Sequence, residues 1–159
     1  MADLRALVER LGYGNVRTLL NSGNVVFTVP AADARAAARI EQALAKKTGV
    51  SARVTVISAR DLALVVAKNP LLEVATDPSR LFVAFPRTPA NRRLLVPLGK
   101  REWKPEQLAL GPGAAYVWCP AGMIESPLMI ALARQLGDGV TTRNWATVTK
   151  LHALAQADR

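Results

Sequence analysis

The run Thr141-Thr142-Arg143-Asn144-Trp145 brings together two hydroxyls, a guanidinium and an amide where an apolar stretch gives way to a helical pattern. An arginine grips phosphate or carboxylate through two parallel hydrogen bonds, and a helix N-terminus adds backbone amides and the positive end of its dipole. Thr141, Thr142, Arg143 and Asn144 are therefore candidate ligands for an anion. The same residues also suit a structural role, with Asn144 capping the helix, Trp145 packing inward and Arg143 paired with a carboxylate or carbonyl. A second polar group, Asn21, Ser22 and Asn24 around Gly23, falls at an expected hairpin tip where it could meet a ligand, although a tight turn asks for the same residue types.

Arg87, Arg92, Arg93, Lys100, Arg101 and Lys104 crowd a stretch whose only acid is Glu102, and they surround Trp103. Positive charge beside an aromatic suits nucleic acid, through phosphate pairing and base stacking, but it equally describes a solvated basic face with the indole tucked in. Leu81 to Phe85 lacks the glycine-flanked aromatics of an RNA-recognition strand. Gly122 and Ser126 before a helix bring phosphate loops to mind without the G-x-x-x-x-G-K spacing. His152 is the one imidazole and has no Ser or Cys motif nearby, and Cys119 in an apolar strand reads as a small buried hydrophobe. One cysteine and one histidine are too few for a zinc site, so neither a metal nor a cofactor is expected.

These residues need elements to hold them. Leu4, Leu7, Val8 and Leu11 form a helical stripe over 3–12, and 16–20 with 25–29 make a β-hairpin. A helix follows over 31–48, a strand over 53–57, and a helix from Ser58 that ends at Asn69-Pro70. The second part reads as a strand over 81–85, a short helix over 89–96, strands at 107–110 and 115–119, a helix from Ser126-Pro127 to about Leu136, a strand over 140–143 and a last helix capped by Asn144. The expected fold is α+β in one compact unit, 1–159. It comprises two ferredoxin-like β-α-β-β-α-β half-repeats, 1–70 and 80–143, the first missing its opening strand, plus a C-terminal helix over 144–158.

Several stretches together resemble one bacterial family, domain of unknown function 1697. They are Met1 to Leu4 leading to Leu11-Gly12, Val16-Arg17-Thr18 into Asn21 through Phe27, Asn69-Pro70, and Thr141 through Trp145 with Thr147-Val148. The resemblance implies a cytosolic bacterial α+β protein and no particular reaction. Relatives usually carry an apolar strand and a Gly-rich loop upstream of the position of Met1, and a basic residue where this chain has Pro127. In a β-α-β-β-α-β unit the sheet order is four, one, three, two, so a half without its first strand leaves 53–57 with no neighbour. The expectation is that the natural chain starts upstream of Met1.

Twenty-one Lys and Arg stand against 12 Asp and Glu, a net charge of +9 that favours anionic partners. No apolar run is long enough to span a membrane, and a cytoplasmic location is expected. Three functional readings remain open: a non-catalytic binding module for a phosphorylated small molecule or nucleic acid, an enzyme acting on a small anion in a cleft between the halves, and an assembly protein without a small ligand.

Overall fold

A computed structural model of the chain describes residues 2–19, 23–30 and 33–157. Among these, the elements run α1 (Ala2–Arg10), β1 (Gly14–Leu19), β2 (Asn24–Thr28), α2 (Ala36–Thr48), α3 (Ala59–Ala67), β3 (Leu81–Pro86), α4 (Pro89–Arg93), α5 (Leu95–Gly99), β4 (Gln107–Leu110), β5 (Ala115–Trp118), α6 (Pro127–Leu136), β6 (Val140–Asn144) and α7 (Trp145–Ala157). The fold is mixed α+β with two sheets. The chain divides into two compact units, one made of residues up to Ala59 and from Lys150 onward, the other of Arg60–Thr149.

In the first unit β1 and β2 form a two-stranded antiparallel sheet, with Arg17 opposite Val26 and Leu19 opposite Asn24. The stripe predicted for the first helix does its work: Leu7 and Val8 are buried with Tyr13, Val16, Ala36 and Ile40, and Val25, Phe27 and Val54 pack around them. Arg17 Nη2 donates to the Leu154 carbonyl at 2.6 Å and so ties β1 to the end of α7. Helix α2 closes on Gly49, whose positive φ of 71° lets its amide turn back to Ala45 O at 2.8 Å.

Two sequence-based expectations fail in this unit. The helix expected over 31–48 begins only at Ala36, and residues 31 and 32 lie outside the described residues. The strand expected over 53–57 does not form. Its alternation of valine with polar residues is real, but a ladder needs a neighbour, and here the Val54 amide is taken at 2.7 Å by Glu41 Oε1 of α2 instead.

The second unit is built on one antiparallel sheet of order β4-β5-β3-β6. On one face Phe82, Ala84, Ala115 and Val117 pack with Leu95 and Leu98 of α5 and Leu128, Leu132 and Leu136 of α6. On the other, the buried Tyr116 hydroxyl donates to Val65 O of α3 at 2.7 Å. The single helix expected over 89–96 is instead two short ones. Pro97 has no N–H to donate to the Arg93 carbonyl four residues back, so the first ends at Arg93.

Candidate functional site

Three strand ends meet at one edge of the second sheet. β5 and β6 flank β3 in antiparallel fashion, so their last residues stand beside its first: Trp118 opposite Leu81, and Asn144 opposite Phe82. The turn before β3 and the loop after β5 consequently converge, and with Asn144 they line an open pocket of about 560 Å³. Its lining includes Ser79, Arg80 and Phe82 from the β3 side, Gly122 through Glu125 from the loop, and Asn144. Ile124 stands on its rim with 91% of its surface exposed.

The polar groups of this cavity are fixed by local chemistry. Asp77 Oδ1 accepts from the Ser79 amide at 2.9 Å and from the Ser79 hydroxyl at 2.6 Å, an Asx turn that sets the approach to β3. The Ser79 hydroxyl, followed by its amide, holds the Asp77 carboxyl below the usual carboxylate range. Arg80 Nε lies 3.6 Å from Asp77 Oδ2, and its Nη1 donates to the Pro120 carbonyl across the strand ends. Asn144 Oδ1 accepts from Thr147 N at 2.9 Å, the cap expected from the sequence.

The four residues Thr141–Asn144 are not gathered into one pocket. Side chains alternate along a strand and directly opposed residues share a face. Arg143 pairs with Val83 and Thr141 with Phe85 on one face; Asn144 pairs with Phe82 and Thr142 with Ala84 on the other. Arg143 Nη1 donates to Thr141 Oγ1 and Thr142 O, each at 2.8 Å, and burial lowers its pKa. Asn144 alone of the four lines the cavity. Asn21 and Ser22 lie outside the described residues, and Asn24 is a buried first residue of β2.

The helix start after Gly122 is closed to a phosphate. Ser126 Oγ accepts from Met129 N at 3.0 Å, and the buried Glu106 places Oε1 3.0 Å from Leu128 N, so amides of the first turn are satisfied from within. Cys119 Sγ sits 3.5 Å from Ser126 Oγ, and burial pushes its thiol up to about 11. His152 belongs to the first unit. No group of three His, Cys, Asp or Glu suited to a metal occurs among the described residues.

The basic stretch splits in two. Arg87 is half-buried where the chain leaves β3, its amide bonded to Gly139 O at 2.9 Å. Arg92, Arg93, Lys100, Arg101 and Lys104 are exposed. Trp103 is turned inward, its Nε1 donating to Leu98 O at 2.8 Å, and the Arg101 guanidinium lies 4.4 Å from the ring centroid.

Of the pocket's lining residues only Gly122 and Asn144 stand out in the sequence; Arg80 and the rest of the loop 121–125 do not. The signal that marks them is the Asp77-Pro78-Ser79-Arg80 turn directly before an apolar strand, readable only once the strand order is known.

This is an α+β fold of two sheets, and comparison places it. A solved structure of a conserved bacterial protein from Streptococcus pneumoniae superposes with a TM-score of 0.80 at 20% identity, covering 98% of this chain and 88% of that one. The pattern of DUF1697, a protein family of unknown function, matches residues 1–116, and the chain belongs to that family. The match ends before Thr141–Trp145. No curated protein matches the chain in sequence.

Proposed function

We propose that this protein is a non-catalytic binding module for a phosphorylated or otherwise anionic small molecule with an apolar body. The observation that carries the reading is the open pocket whose lining combines Arg80 and Asn144 with the apolar Phe82, Met123 and Ile124. Such a lining can fix an anionic group by charge-assisted hydrogen bonds and offer apolar contact to the rest of the molecule. Binding rather than catalysis is favoured by the hydroxyl at hand. Ser79 donates to a carboxyl held below its usual range, which is a poor base for activating it.

The strand order four, one, three, two over β3 to β6, with helices after the first and third strands, supports reading the second unit as a ferredoxin-like half. A cytoplasmic bacterial setting fits a chain whose one cysteine is a buried thiol and in which no described helix is long and apolar enough to cross a membrane.

A thermal-shift screen of phosphorylated metabolites tests the proposal, because a ligand of the native state raises its melting temperature. The expected result is a shift for the natural protein that is lost in Arg80→Met and in Ala121→Trp, which fills the cavity. A library without effect, or equal shifts in all three proteins, would overturn it.

A further inference from the structure

Residues 92–104 form a largely exposed run anchored by the buried Leu95 and Leu98 and by Trp103, which packs against the core. Five of its side chains are cations and one, Glu102, is an acid that faces Lys104 at 3.8 Å. Between the cations lie aliphatic groups that the fold leaves half in water: Leu94 is 37% exposed and Val96 43%. Leu110, 45% exposed, joins them, because its side chain lies over Gly99, where a Cβ would come within 3.1 Å of its Cδ1.

We propose that this surface docks an acidic protein segment that also carries aliphatic side chains. Charge complementarity calls for an anionic partner, and three candidates supply anions. Single-stranded nucleic acid would use an aromatic platform, but the Trp103 ring is packed toward the core on one side and covered by Arg101 on the other. It also offers no aliphatic groups to Leu94, Val96 and Leu110. An anionic bilayer takes up the broad apolar face of an amphipathic helix, whereas α4 and α5 are each only five residues long. An acidic segment with aliphatic side chains meets both components: its carboxylates reach Arg92, Arg93 and Lys100, and its apolar groups cover the exposed leucines and valine. This surface is independent of the cavity around Arg80.

The test is fluorescence anisotropy with the full chain and labelled synthetic peptides of Glu, Leu and Ser, set against counterparts with Lys for Glu and with Ser for Leu. The Glu-Leu-Ser peptide is expected to bind, more weakly as salt is raised, and the two counterparts to bind poorly. Arg92→Glu with Arg93→Glu should weaken binding on the order of tenfold, and Leu94→Ser with Val96→Ser should weaken it separately, both at an unchanged melting temperature. Equal binding of the leucine-free peptide would reduce the surface to charge alone and overturn the proposal. So would tighter binding of an oligothymidylate, or of vesicles of phosphatidylserine and phosphatidylcholine, than of the Glu-Leu-Ser peptide.

Discussion

The Tyr13 hydroxyl donates a 2.6 Å hydrogen bond to Asp33 Oδ2, and Arg39 Nη1 reaches both oxygens, at 3.2 Å and 2.9 Å. Arg39 Nη2 also donates to Leu11 O at 3.0 Å, and Tyr13 stacks on Phe27 of β2. One cluster thus joins the end of α1, the sheet and the approach to α2 in a unit with only two strands among its described residues.

This cluster should give the first unit a stability window with two edges. The Tyr13 hydroxyl, followed by the Arg35 amide, lowers the Asp33 pKa from 3.8, so its contribution is present above that value and is lost as pH falls through the lower folded value. Burial, and then the bond to Asp33, raises the Tyr13 pKa from 10.0, so its contribution is present below that value and is lost as pH rises through the higher one. In melts across pH, the deficit of Asp33→Asn relative to the natural protein should shrink on the acid side. That of Tyr13→Phe should shrink on the alkaline side. Deficits that stay constant with pH would show that packing, not protonation, links these residues.

Arg143→Ala should lower stability by about 1–2 kcal/mol, since it leaves Thr141 Oγ1 and Thr142 O without their donor at a half-buried strand. The thermal shift produced by a ligand of the Arg80 cavity should be unchanged, because Arg143 points to the other face. Loss of the ligand shift at an unchanged melting temperature would move the anion site to Arg143.

Tyr116→Phe should cost about 1–2 kcal/mol, because the Val65 carbonyl of α3 loses a buried donor. Gly111→Ala should cost about 1–3 kcal/mol by a different route, as its Cβ would lie 2.5 Å from Tyr116 Cε2. That contact is with a ring carbon, so the Gly111→Ala penalty should persist in a Tyr116→Phe background. Denaturant titration of the single and double variants reads both numbers, and rescue by the phenylalanine would place the clash at the hydroxyl.

What could be read from the residues alone was local. Ser126 with Pro127, and Asn144 three residues before Thr147, announce helix starts because a cap is made within one turn. The alternation of Arg53, Val54, Thr55 and Val56 announces a face but says nothing of a partner, which is why a strand was expected where none forms. Arg80 escaped notice because its setting is assembled from three strand ends far apart in sequence. The grouping of Thr141 to Asn144 as one site took adjacency in sequence for adjacency in space, and strand alternation separates them.

The first unit draws its residues from either side of Arg60–Thr149, which is continuous. During synthesis the second unit can therefore complete its sheet as soon as β6 leaves the ribosome. The Arg17 guanidinium must wait for the Leu154 carbonyl, translated 137 positions later. The apolar core of the first unit, drawn from Leu4 through Val54, is thus made before the inserted unit, while the tie from β1 to α7 closes only after it.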